Sequence, residues 1–375
     1  MLRFAIRSVR QYSQVLKVNR PEFDTVFPKA NLIKKILFEL DSKHTYSKLY
    51  PIYKSIYETM DEENDEVPIS KGISSSDVMT MKKVLEQIRR RMKAVNKHLL
   101  VLENTLLDRA ADMGNKDSIS ILSCDVLKND NENTPEDVEY AKKLIKGLYN
   151  ESHPLTVKLT ADMLLKDSND IEAEKIYYKF LKLEDDSKLA GEVYGYLGQI
   201  QFRKPNLVLA EEYFIKAIKL TTLENSVRSY YYLSQIFMNS QPLMAKSLME
   251  SCATQGFKEA FKSLGYLEMN YFDDLHKSYE WFKLGMELND IECCFGFFDC
   301  NVALKNWGAV SNCYKTIIAM KKLDSNNITL IEKFLNLRED ILLKINDTSA
   351  ESTKTENIKN IVKQDPLKST GRWNF

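Results

Sequence analysis

Glycine and proline are scarce, with 12 and 9 residues in 375. Together they hold about one position in eighteen, well below ordinary usage. Tight β-turns depend on these two residues, which argues against an all-β fold. Neither sign of charge is in excess: 53 basic residues face 53 acidic ones, so no bulk field draws nucleic acid to the chain. No uninterrupted apolar run approaches the roughly 18 to 20 residues that span a bilayer. The six cysteines show no close-set pairs at regular spacing, which points to a reducing compartment rather than a disulfide framework.

Catalytic signatures are missing too. There is no phosphate-binding glycine loop and no dinucleotide fingerprint, since Gly195 and Gly198 fall in a repeat position described below. The four histidines (His44, His98, His153, His276) are scattered, with none four residues from another. Cys293, Cys294, Cys300 and Cys313 lack the C-x-x-C spacing of a zinc knuckle and read as small apolar core residues. We therefore expect no catalytic residue, no cofactor and no metal.

What the chain does have is helical periodicity and a repeat. Leu, Lys, Glu, Ala and Met are plentiful, and apolar residues recur at three- and four-residue steps, so the expectation is all-α. In a tetratricopeptide repeat, two antiparallel helices meet through small residues at fixed places. One unit matches almost completely: Tyr194, Leu197, Gly198, Ala210, Phe214 and Ala217, with Thr222 in place of the final proline. The anchor then recurs in weaker form. Ala141 leads to Ile145 and Leu148, and Ala173 to Tyr177 and Phe180. Ala245 leads to Met249 and Cys252, Ser278 to Phe282 and Gly285, and Ala309 to Cys313 and Thr316. Successive anchors lie 32, 37, 35, 33 and 31 residues apart. An echo of Ala111-x-x-Gly114 in Ala253-x-x-Gly256, the latter leading to Leu264-Gly265, resembles the related Sel-like repeats. The pattern predicts a right-handed α-solenoid over residues 99–343, each helix pair stable only against its neighbours.

Residues 22–98 read as an N-terminal helical region, with one or two helices interrupted near Pro51 and an acidic loop over 58–68. Ser74 to Ser76 offer N-caps for the helix that follows. There Val78, Met81, Leu85, Ile88, Met92, Val95, Leu99, Leu102 and Leu106 recur with a period of 3.5. That spacing suits either a self-associating seam or one or two long helices packed along the solenoid, and the second is the simpler reading. Arg89, Arg90 and Arg91 lie off the seam, on a face open to solvent or to an acidic membrane surface. Residues 346–375 shift to Ser, Thr, Asn and Lys and read as a disordered tail.

The first twenty residues carry Arg3, Arg7, Arg10, Lys17 and Arg20 and no acid, with Leu2, Ala5, Ile6 and Val9 on one helical face. This is the pattern of a mitochondrial transit peptide. The segment Arg10-Gln11-Tyr12-Ser13 suits the matrix processing protease, so we expect residues 1–12 to be removed. Aromatic residues cluster at Tyr230 to Tyr232, at Tyr271-Phe272 and at Phe295 to Phe298. Most read as core; Tyr231, the exposed member of its triplet, and Tyr271 are candidates for a partner groove.

Several segments carry a family resemblance. They are Ile36 to Asp41 (ILFELD), Thr45 to Ile52 (TYSKLYPI), Asp117 to Ser123 (DSISILS), Leu181 to Glu184, Lys188 to Glu192, and above all Gly256 to Cys300. The last block contains Leu264-Gly265, Asn270-Tyr271-Phe272, Glu280 to Lys283 (EWFK) and Cys294 to Cys300 (CFGFFDC). Over roughly residues 27–343 the chain resembles the fungal mitochondrial tetratricopeptide factors needed to export the C-terminal region of cytochrome c oxidase subunit 2. That resemblance implies a matrix protein peripherally bound to the inner membrane. It also implies two partners, nascent subunit 2 and an Oxa-type insertase. No nucleic acid is expected. The alternative is a mitochondrial RNA-binding or translational activator protein of the helical-repeat kind, which would need a basic groove that the neutral composition does not advertise.

Overall fold

A computed structural model describes residues 20–59, 72–92, 94–323 and 327–344. The transit peptide (1–12), most of the acidic loop (58–68) and the tail (346–375) lie outside the described residues. Among the described residues every regular element is helical.

The chain divides between Ile200 and Gln201 into two compact units. The first holds α1 (Phe23–Val26), α2 (Ala30–Glu39), α3 (Tyr46–Thr59), α4 (Ser75–Met92), α5 (Lys97–Asp112), α6 (Lys116–Lys128), α7 (Pro135–Asn150), α8 (Pro154–Lys166) and α9 (Asp170–Leu181). Helix α10 (Lys188–Arg203) spans the division. The second unit holds α11 (Leu207–Leu220), α12 (Leu223–Phe237), α13 (Pro242–Thr254), α14 (Lys258–Asn270), α15 (Leu275–Glu287), α16 (Ile291–Ala303), α17 (Trp307–Leu323) and α18 (Ile328–Asn336). Within each unit the substantial helix contacts join a helix to the next one or the next but one. Such nearest-neighbour packing defines a solenoid, so the fold class is the all-α helical repeat.

Local chemistry sets the helix ends. Asn96, Asn115, Thr134, Asn169, Asp274 and Asp290 each accept backbone N–H groups of the turn they open, satisfying donors that a helix start leaves orphaned. Ser74 and Asp77 cap α4 reciprocally: the Ser74 hydroxyl accepts from the Asp77 N–H at 3.3 Å, and the Asp77 carboxylate accepts from the Ser74 N–H at 2.8 Å. At the other ends the chain turns out through left-handed residues. Gly114 (φ 81°) and Gly256 (φ 74°) occupy this place in the two Ala-x-x-Gly turns. The following N–H groups reach back over the last turn, Asn115 to the Ala110 carbonyl and Phe257 to that of Cys252. This closure favours glycine because a Cβ is strained there.

One sequence expectation changes and one is narrowed. Pro51 lies inside α3 rather than between helices; the break falls at Asp41 (φ 50°). Burial of Leu49, Ile52, Tyr53 and Ile56 holds α3 together across the proline. The 3.5-residue seam does not form one rod. Helix α4 ends at Met92 and α5 starts after the Asn96 cap, leaving Met92 and Val95 exposed at 61% and 65%. The two halves pack against each other as a hairpin, the packed-helix alternative of the two. Leu102, Leu106, Leu107 and Ala110 share one core with Phe23, Ile36, Tyr53 and Met81. Apolar packing is therefore continuous across the expected boundary at 98/99.

Candidate functional site

The anchor positions occupy the helix interfaces. Ala141, Ala173, Ala210, Ala217, Ala245, Leu197, Leu264, Ser278, Phe214 and Phe282 are all buried, as are Gly198 and Gly265. Tyr194 is half-buried, and Phe214 stacks on Tyr232 at 5.6 Å. The last repeat is offset by one residue: Ala309 is half-buried, Thr316 is exposed, and Val310, Cys313 and Ile317 take the interior positions. The face is set there by β-branched bulk rather than by the small residue.

Close approaches occur in the second unit. Phe282 of α15 lies between Gly265 of α14 and Gly296 of α16, and a Cβ at either glycine would overlap its ring. Ser278 donates to the Gly265 carbonyl at 2.9 Å in the same joint. The six cysteines are buried and unbridged. Cys252, Cys300 and Cys313 donate to the carbonyls of Val227, Leu275 and Cys294. Burial pushes the Cys252 and Cys313 thiols up to about 12 and those of Cys124 and Cys294 up to about 11. These are packing residues held protonated, the reverse of a reactive thiolate.

The first unit binds its helices with charge. Lys158 of α8 is 6% exposed and pairs with Asp162 at 3.0 Å and with Glu192 of α10 at 2.8 Å. Burial pulls the ammonium down, but the two carboxylates outweigh it and hold its pKa above the usual lysine value. Tyr177 donates to Asp162 at 2.7 Å, and Lys158 lies 5.7 Å from the centre of the Tyr196 ring. Every member of the group has a partner. Arg89, Arg90 and Arg91 are likewise paired, with Glu103, Glu86 and Glu39, while Arg90 and Arg91 remain on the solvated face of the helix.

A cleft between α13 and α15, of about 390 Å³, is the candidate binding site. Lys246 and Glu250 line one wall; His276, Lys277, Glu280, Trp281 and Leu284 line the other. Lys246 ties it to two further features. It pairs at 2.6 Å with Glu268, whose side chain is 1% exposed, and it lies 4.8 Å from the centre of the Phe272 ring. Phe272 meets Tyr271 edge-on at 5.0 Å, and Tyr271 is 61% exposed. Its sequence companion Tyr231 is half-buried, packed on Tyr232 and Phe257, because its helix turns it toward the next repeat. Lys277 and Asp274 bond at 2.8 Å; that bond holds the ammonium above and the carboxyl below their ordinary values. Sequence reading named Tyr271 but missed the cleft beside it. The signal was there only as i, i+3 and i, i+4 spacing around the anchors, Lys246 to Glu250 and Lys277 to Glu280, Trp281 and Leu284.

The cleft suits a polypeptide more than a small reactant, with an indole and a leucine for apolar contact and both signs of charge along its edges. Among the described residues no group of His, Cys, Asp and Glu is arranged to hold a metal, and no helix is long and apolar enough to cross a membrane.

Comparison with known proteins bears on the identity of this scaffold. Residues 19–115 match the family model described as the MSS2 N-terminal domain. The protein MSS2, mitochondrial, of Saccharomyces cerevisiae is 44% identical over 330 residues, which cover 85% of this chain and 93% of the yeast protein. Among solved structures, the type IV pilus biogenesis factor PilW aligns at a TM-score of 0.44 and 18% identity, covering 58% of this chain and 98% of its own. A chain of the APC/C hetero-tetramer Cut9-Hcn1 aligns at 0.45 and 15%, covering 89% and 73%. With close to half of its residues identical over most of both lengths, the chain belongs to the MSS2 family.

Proposed function

We propose that this chain is a non-enzymatic mitochondrial assembly factor that helps the C-terminal domain of cytochrome c oxidase subunit 2 through the inner membrane. It acts from the matrix side, peripherally bound, as a scaffold beside an Oxa-type insertase. Residues 1–12 serve as its transit peptide, with the mature chain beginning near Ser13. The anchors from Ala141 to Ala309 set the helix spacing, and Tyr271 stands at the edge of the client-holding surface.

The observation that carries the reading is the cleft between α13 and α15, open, mixed in charge and lined by Trp281. A scaffold of this kind needs a surface that grips an extended segment and releases it. Mixed, partly exposed ion pairs give contacts of modest strength, while an aromatic side chain in the lining supplies apolar area at low entropic cost.

The test is crosslinking followed by affinity recovery from mitochondria making radiolabelled subunit 2. Recovery of the new subunit together with the insertase is the expected outcome. Recovery of ribosomes or messenger RNA with neither partner would replace this reading with that of a translational activator.

A further inference from the structure

Phe38 is the most exposed large apolar residue among those described, at 88%. It sits near the end of α2 with its neighbours turned inward: Ile36 and Leu37 are buried at 0% and 4%, and Leu40 is half-buried. The ring borders a cleft of about 350 Å³ that Lys34, Leu37 and Tyr46 also line. Around it the acids are mostly paired and the lysines are not. Lys29, Lys34, Lys35, Lys43 and Lys48 are all exposed, and none of them forms an ion pair among the described residues. The acids nearby are Glu39, bound to Arg91, Asp24, paired with Lys54, Asp77, paired with His44, and Asp41 at the cleft edge. Lys34 and Lys35, one helical turn before Phe38, set two ammonium groups outside any ion pair beside the exposed ring, in a chain with no net charge.

We propose that Phe38 and its lysines form a docking site for an anionic lipid surface. The inference rests on the membrane-peripheral reading above and supplies the contact that such a reading requires. The occupant follows from area and charge. One ring buries roughly 150–250 Å², far less than the roughly 800 Å² per partner of a stable protein interface. A lipid interface has no such threshold. It takes a single aromatic side chain at headgroup depth, and lysines gather around anionic headgroups without fixed pairing. Screening by salt weakens such lysine contacts.

The experiment places an indole at the site. The full-length Phe38→Trp protein is mixed with phosphatidylcholine vesicles, with or without phosphatidylglycerol, whose acyl chains carry bromine to quench indoles inserted among them. We expect quenching at position 38, relative to the unaltered chain, in the anionic vesicles only. Adding Lys34→Glu and Lys35→Glu should weaken vesicle affinity roughly five-fold for each lysine. Circular dichroism should be unchanged, because these side chains are exposed. No quenching at position 38 while the chain still co-floats with anionic vesicles would overturn the site and leave membrane binding to another surface. Equal quenching in neutral vesicles would overturn the role of the lysines. A shift of the indole emission by polyglutamate alone, at equal charge concentration, would overturn the lipid assignment in favour of an acidic protein. None of these results depends on subunit 2 or on the insertase, so they are separable from the fate of the export reading.

Discussion

The two units hide charge in opposite ways. In the first, Lys158 is buried with two carboxylates, and Tyr177 completes the oxygen of one of them. In the second, Glu268 is buried with a single ammonium at its rim, 2.6 Å from Oε1, and neither of its oxygens accepts an aligned hydrogen bond among the described residues. A fully satisfied network in a low dielectric fixes one arrangement of its helices. A half-satisfied one leaves a polar atom without a partner beside an open cleft. The first arrangement is structural, and the second marks the wall of the candidate site.

The units also differ in what fills their interiors. Of the six buried cysteines only Cys124 lies in the first unit. The largest predicted effect follows from this. A thiol whose folded pKa is raised keeps its proton while the unfolded chain loses it. Its contribution is full below the unfolded value near 9 and is lost as pH rises toward the folded values of about 11 and 12. Each such thiol gives up on the order of 1 kcal/mol per pH unit in that window. Alkali should therefore unfold the second unit first. Tryptophan emission reports this, since Trp281 and Trp307, the tryptophans among the described residues, both lie beyond the division. An emission change that lags the loss of total helicity would break the comparison.

Next in size is Lys158→Ala, which strands two carboxylates and should cost about 3–5 kcal/mol in urea unfolding. A loss below about 1 kcal/mol would mean that water already reaches the network. Smaller again is Gly296→Ala, expected to cost about 1–3 kcal/mol because the added methyl meets the Phe282 ring. Its control is Gly147→Ala in α7, where a Cβ meets nothing within 4 Å. That change should stabilise by about 0.5–1 kcal/mol by restricting the unfolded chain. If both glycines respond alike, close approach is not what selects the first. Smallest is Glu268→Gln, which should move stability by less than about 1 kcal/mol. A loss as large as that of Lys158→Ala would make Glu268 another structural charge and end the contrast.

The sequence made the repeat legible because small residues at a helix crossing admit few substitutes. Ala173, Ala210, Ala245 and Ser278 are fully buried, and their spacing near 34 residues announced them. The Ala-x-x-Gly turns were legible for a similar reason, since Gly114 and Gly256 take a backbone conformation that a Cβ strains. The seam from Val78 to Leu106 read correctly as packed helices, because a 3.5-residue period continues through a hairpin whose two helices use the same face; the Asn96 cap marks where the first gives way to the second. The offset at Ala309 was hidden because Val310 alone outweighs one alanine. The cleft was beyond reach for a different reason. Lys246 and Lys277 lie 31 positions apart on helices separated by α14, and only packing brings their faces together.

The account turns on whether this cleft holds the client. A photo-crosslinking residue at Leu284, which lines the cleft and is 41% exposed, should capture newly made subunit 2 in intact mitochondria. The same residue at Gly147, in the first unit, should not. Capture at position 147 with none at position 284 would contradict the assignment of the cleft.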